Sequence, residues 1–242
     1  MYKKIIILLI VLHIEILASQ SIKEVLVVSE DWNGYTNQDS SGLYFDIVRM
    51  VYEPLGISVK TKIYPYSRSA MMVEKKLADF WLGSYIDEEE YAIYPKYYFD
   101  NDILTAMYKK QRFPNFSGLQ SLEKKNVGWM RGYGFDEYID VELIKHERND
   151  RKSILFSLEK DRLDVFLDDK YDMKNALDKL KFNISAYGFT ELLRFKLYPA
   201  FRNDERGEQL RLIWDRQFKK IMDDGSLKEL YIKHDKVKSY LY

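Results

Sequence analysis

Apolar residues recur along this chain with two different periods. Val59, Thr61 and Ile63 alternate with Lys60 and Lys62, the two-residue period of a half-buried strand. Tyr64-Pro65-Tyr66 ends that strand, because proline lacks the N–H a ladder needs and drives its predecessor into extended geometry. Ser67 is placed to cap a following helix whose apolar stripe is Ala70, Val73 and Leu77. Asp79-Phe80-Trp81-Leu82 then reads as a short buried strand running out into the loop Gly83-Ser84-Tyr85. Such a strand–helix–strand unit predicts parallel strands and a right-handed crossover.

Upstream, Val25–Val28 predicts a buried strand, and the segment from Glu30 to Tyr35 the loop after it. Tyr44, Ile47, Val48, Val51, Tyr52 and Leu55 have the spacing of an amphipathic helix that stops at Gly56, and their stripe reads as core. Asp87-Glu88-Glu89-Glu90 reads as a solvated helical turn, because consecutive carboxylates do not share a helical face. Ile103–Tyr108 predicts a strand leading out of a first lobe, followed by a loop carrying Pro114 and Gly118.

The pattern then restarts. Val127–Met130 is a strand, Arg131-Gly132-Tyr133-Gly134 a turn, Phe135 a helix start and Val141–Glu147 another strand. Ile154, Leu155 and Leu158 mark a helix, and Leu163–Leu167 a buried strand ending at Asp168-Asp169. Asp169 can cap the next helix, which carries Met173, Ala176, Leu177 and Leu180. Leu193, Phe195 and Leu197 alternate in a return strand, Tyr198-Pro199 bends the chain, and two helices flank Gly225. Two such units, crossed near residues 106–112 and again near 197–203, predict a two-lobed α/β protein. Each lobe is a mixed sheet flanked by helices, and the two hinge crossings let the lobes close on a ligand between strand ends. The expected boundaries are 21–107 with 200–242 for the first lobe and 108–199 for the second.

Composition narrows the classes. The chain has 242 residues, 46% of them hydrophobic and 15% aromatic, so a substantial core is expected. Lys+Arg and Asp+Glu both number 38, without the basic excess of a nucleic-acid binder. Lys3 and Lys4 precede the apolar run Ile5–Leu12, and Ala18-Ser19 follows, the pattern of a cleaved signal peptide over residues 1–20. With no cysteine there is no thiol chemistry, disulfide or lipid-modified cysteine. The expected location is therefore the periplasm.

Two charged residues attract chemical interest. Arg68 falls in the first turn of its helix, where the macrodipole disfavours a cation, so it needs either solvent or an anionic partner. Asp169 sits at a strand end, as a cap or as a ligand contact. The glycines around Arg131 and Tyr133 can present backbone N–H groups as an anion nest. No H-E-x-x-H, P-loop or G-x-S-x-G pattern occurs, so no enzyme is expected.

In this order, several segments resemble the type II periplasmic solute-binding proteins, in particular the family 3 group that serves polar-amino-acid ABC importers. The segments are Gly42-Leu43-Tyr44-Phe45-Asp46-Ile47, Leu77-Ala78-Asp79 with Lys76 or Ala78 where glycine is usual, Leu122–Gly128, Asp164–Asp169 and Met222–Leu227. The resemblance spans about residues 23–234. It implies a binding protein that captures a small polar solute, an amino acid or related compound, and delivers it to an inner-membrane ABC permease. It also implies no cofactor or metal, a monomer, and no nucleic-acid partner. It would place the ligand amine on Asp169, the aromatic first loop at Trp32 and Tyr35, and the first lobe's hydrogen-bonding loop at Gly83, Ser84 and Tyr85. From the strand ends alone, Arg68, the Gly83–Tyr85 loop and the aromatics Tyr64 and Tyr66 are expected to face one crevice. The group's carboxylate-clamping arginine is missing after the Gly83 loop, and Tyr133 follows Gly132 where threonine is usual. Arg68 or Arg131 is the candidate replacement. The same module can also serve as a ligand sensor for a membrane receptor, or, on a few members of the fold, as a dehydratase-like enzyme.

Overall fold

The computed structural model describes residues 22–237 and 240; the expected signal peptide lies outside them. Strand β1 (Glu24–Ser29) pairs in parallel with β2 (Ser58–Ile63) and β3 (Phe80–Ser84). Helix α1 (Leu43–Tyr52) joins the first two strands and α2 (Tyr66–Glu74) the second pair. The alternation over Val59–Ile63 appears as β2, whose residues are alternately exposed and half-buried. The α1 stripe is core up to Tyr52; a 3-10 turn then carries Leu55 outward, 47% exposed, before left-handed Gly56.

Helix α2 differs from expectation at both ends. It starts at Tyr66 after Pro65, and no side chain caps it, so Ser67 is not its cap. It stops at Glu74; Lys76 then turns into the left-handed region with φ 58°, and Leu77 is 59% exposed instead of completing the stripe. Asp79, expected inside the strand, is buried just before it. Its carboxylate accepts from the Leu26 N–H at 2.8 Å and from Arg206 at 2.6 and 2.9 Å.

After the short β4 (Ala92–Ile93), β5 (Asp100–Lys109) leaves for the second lobe. There β6 (Asn126–Met130) pairs in parallel with β7 (Ile144–Arg148) and β8 (Val165–Asp169), connected by α3 (Arg151–Glu159) between β7 and β8. The turn at Phe135 is a 3-10 segment. Helix α4 (Lys170–Leu180) follows β8, and β9 (Tyr187–Arg202) returns to the first lobe. Helices α5 (Glu205–Asp223) and α6 (Ser226–Lys233) pack on that lobe.

The strand order β2-β1-β3-β9-β5-β8-β6-β7, with β4 on β9, contains one arrangement twice. Three parallel strands end on an antiparallel one in each half: β3 pairs β9 at Phe80–Ser84, and β8 pairs β5 at Val165–Asp169. Leu104–Tyr108 already pair with β8, so the chain runs in the second sheet before Tyr108. Strand β9 is far longer than the return strand expected. Tyr187–Leu197 pair with β5 and Tyr198–Phe201 with β3, so the chain does not bend at Tyr198-Pro199. Pro199 falls where the β3 register shifts between Trp81 and Ser84, a place where its missing N–H interrupts no regular ladder. The cores are layered on both lobes, around Trp81, Trp214 and Phe201 in one and Trp129, Phe166 and Leu158 in the other.

Candidate ligand-binding cleft

The parallel strands of both lobes point their carboxyl ends at one another, the position where open α/β sheets bind ligands. Between them is a cavity of about 460 Å³. The lobes touch around it. Tyr66 of the first lobe meets Tyr133 of the second edge-on at 5.8 Å between centroids, and Tyr35 meets Tyr171 at 5.0 Å. The Tyr171 hydroxyl donates to the Asn33 carbonyl at 3.5 Å.

Of the residues singled out in the sequence, Trp32, Tyr35, Tyr66, Gly83, Tyr85, Tyr133 and Asp169 line this cavity. Trp32 is seated by Gly83, whose φ of +87° already favours glycine; a Cβ there would come within 2.4 Å of the indole. Ser84 lies behind the wall, its hydroxyl donating to Glu88 at 2.6 Å. Neither arginine enters. Arg68 is exposed with its guanidinium 4.6 Å from the Tyr64 ring, and exposed Arg131 likewise stands outside the lining. The Arg68 guanidinium instead lies on the face of the Tyr64 ring at the surface, where water also solvates it. The turn around Gly132 is no open anion nest either: the Gly132 N–H donates to Glu147 at 3.1 Å.

The lining also holds residues the sequence reading left aside. Glu88, read as part of a solvated run, turns inward and accepts from the Tyr66 hydroxyl at 2.6 Å, the Ser84 hydroxyl at 2.6 Å and the Tyr85 N–H at 3.0 Å. Tyr44 belongs to the core stripe of α1, yet its hydroxyl reaches Asp100 at 3.0 Å. Asp100 and Asp102, two apart on β5, both line the cavity, as does Asp172 in the first turn of α4. The Tyr85 hydroxyl donates to Asp102 at 3.0 Å and is the one donor to that carboxylate among the described residues. Asp169 caps α4 as expected, accepting from the Tyr171 and Asp172 N–H groups at 2.7 and 3.1 Å, and it also accepts from Ile103 N–H of β5 at 3.0 Å.

Burial dominates the titration of this group. It pushes Asp100 up to about 7 and Asp172 up to about 8, the latter against the opposing pull of the Arg151 guanidinium. Burial also raises Asp102, with the Asp169 charge adding to it, and raises Asp169 and Glu88. Beneath the cavity Arg151 is held by Asp168 at 2.6 Å, by Asp172 at 2.6 Å and beside the Tyr133 hydroxyl at 3.0 Å. Glu30 faces this cluster from the first lobe; burial raises it, and Arg151 partly offsets that. Among the described residues no group of three or more His, Asp or Glu is arranged to hold a metal ion, and no helix is long and apolar enough to cross a membrane.

No family model matches the sequence, and no curated protein matches it. Solved structures do match the fold. The chain is similar to the substrate-binding protein of an amino acid ABC transporter from Streptococcus pneumoniae, solved with L-arginine. The two share 13% identity over 90% of this chain and 97% of that one, with a TM-score of 0.67. A second uptake-transporter binding protein from S. pneumoniae, solved with histidine, shares 16% identity over 87% and 92% with a TM-score of 0.65. A histidine kinase sensor domain similar to periplasmic binding proteins gives 14% identity over 88% and 96%, and a TM-score of 0.72. The fold is therefore that of the two-lobed type II periplasmic binding proteins.

Proposed function

We propose that this protein captures a small polar solute between its two lobes and delivers it to an ABC importer. The observation that carries the reading is the cavity itself. It lies at the strand ends of two lobes joined by β5 and β9, and aromatic rings wall it around a few converging polar groups. Closure of this kind hides a ligand from water and creates a surface that differs between empty and loaded states. Solved proteins of the same fold hold arginine and histidine and are named as ABC-transporter components, which supports the transport role. A periplasmic location follows from that role and from the leader pattern of residues 1–20. The reading assigns no catalytic step to any residue.

Likeness to a kinase sensor domain favours one second reading, in which the loaded lobes report to a membrane receptor instead of a permease. A thermal-shift screen of the purified chain against amines, amino acids, organic acids and sugars tests capture. A ligand at 100 times its Kd adds about 2.7 kcal/mol of stability. A chain that no member of the screen stabilises does not work by capture. Co-purification of the loaded chain with an ABC permease, as against a receptor ectodomain, separates transport from sensing.

A further inference from the structure

The ligand of this cleft can be narrowed by its charge, on the understanding that the capture reading holds. Carboxylates converge on the cavity from three directions: Asp100 and Asp102 from the start of β5, Asp169 and Asp172 from the start of α4, and Glu88 from the loop after β3. Among the described residues, the cations near them other than Lys236 at the mouth are already paired with acids. Arg151 is pinned between Asp168 and Asp172. Lys170 and Arg194, at the exposed rim, both bind Glu191 at 2.7 and 2.8 Å, and Lys174 binds Asp178 at 2.5 Å. Arg68 and Arg131 lie outside. A carboxylate entering the cavity would therefore pass the Lys236 ammonium at the mouth and then meet acids and phenols, with no guanidinium among the described residues aimed at it to make a bidentate pair.

A cation meets the opposite situation. The Asp102 carboxylate receives one hydrogen bond where an ionised carboxylate can accept about four. The surrounding rings offer π faces, on which an ammonium is stabilised when desolvated. The structure shows that chemistry at the mouth of the cleft. The Lys236 ammonium sits 3.8 Å from the Tyr171 centroid and 4.4 Å from that of Tyr35, and it also hydrogen-bonds the Tyr171 hydroxyl. The carboxylates are not arranged as a metal site among the described residues, and a volume of about 460 Å³ suits an organic molecule.

We propose that the cleft binds a small organic cation, bearing an amine or guanidinium and no carboxylate, with Asp102 as the principal acceptor and the Trp32, Tyr66 and Tyr85 rings packed along its aliphatic part. Two matched pairs of probes isolate the claim: 1,5-diaminopentane against L-lysine, and agmatine against L-arginine. Members of each pair differ by the α-carboxylate alone. Isothermal titration of the purified chain is expected to give the carboxylate-free member of each pair at least roughly tenfold tighter binding. Asp102→Asn, verified as folded by near-UV circular dichroism, is expected to weaken amine binding by at least roughly tenfold. Tighter or equal binding of L-lysine and L-arginine overturns the proposal while leaving capture intact, as does exclusive binding of an anionic or neutral compound from the wider screen. Unchanged amine affinity in folded Asp102→Asn overturns the assignment of Asp102. If nothing in the screen binds, this inference falls together with the capture reading.

Discussion

Glu88 stands in a run of four acidic residues whose members Asp87 and Glu90 are exposed, yet it alone gathers two hydroxyls and an N–H from the cleft wall. Removing its carboxylate leaves three donors facing a partly buried space, so Glu88→Ala is expected to cost about 1–3 kcal/mol in chemical denaturation. Glu88→Gln keeps one acceptor oxygen and should cost less; equal stability of Ala and wild type would show that water satisfies those donors. Gly83 makes a second case. Gly83→Ala adds a Cβ within 2.4 Å of the Trp32 ring, in a backbone region that side chains disfavour, so Trp32 must leave its seat. The expected result is a loss of about 1–3 kcal/mol together with altered Trp fluorescence; a variant with unchanged emission would refute the seating argument. Neither role was visible in the sequence. An acidic run does not say which member turns inward, because Tyr66 reaches Glu88 only through tertiary packing. Gly83 was recognisable as a strand-end glycine, but its contact with Trp32 spans two elements.

At the scale of elements, periodicity succeeded where one face is buried and failed where polar residues line the cleft. The stripe of α1 and the strands β1, β6 and β8 were legible because apolar positions repeat against a single core, β2 by its alternation, and α5 and α6 as helices on either side of Gly225. The start of β5 was not, since Asp100-Asn101-Asp102 looks like a loop. Asp100 is only 3% exposed and is polar because it faces the cavity. The arginine expectation failed for a related reason: spacing places Arg68 at a helix start, but it cannot show that the side chain turns to Tyr64 and solvent. Asp169 was readable as a cap, and its second duty, accepting from Ile103 of β5, was not. That double role yields a prediction. Asp169→Ala should destabilise by about 1–2 kcal/mol, while Asp169→Asn, also a good cap, should stay within about 0.5 kcal/mol of wild type and still lose affinity for a cationic ligand. Equal destabilisation by Ala and Asn, measured by urea titration, would mean that the charge and not the cap holds α4.

For the whole molecule, the buried acids make stability a function of pH with a defined sign. In the unfolded chain an aspartate titrates near pH 4. In the folded chain burial holds Asp100 protonated up to about 7 and Asp172 up to about 8, and it raises Asp102, Asp169 and Glu88 in the same direction. Between those limits the native state binds more protons than the unfolded one. Its stability is therefore fullest near the lower limit and falls as pH rises through the folded values. The carboxylates lowered by surface partners, such as Glu191 beside Lys170 and Glu208 beside Arg211, act below about pH 4 and leave this window alone. The ligand-free chain is thus expected to melt several degrees lower at pH 8 than at pH 5, at about 2–4 °C per kcal/mol for a chain of this size. Asp102→Asn should flatten the slope and raise the melting temperature at pH 8. A saturating organic cation should do the same by stabilising the ionised acids, releasing protons as it binds and gaining affinity between pH 6 and 8. Calorimetry in two buffers of different ionisation enthalpy measures that release directly. A melting temperature that is flat or rises with pH in the empty protein would show that the cleft acids ionise no later in the folded chain than in the unfolded one, so that a cation would bind without releasing protons.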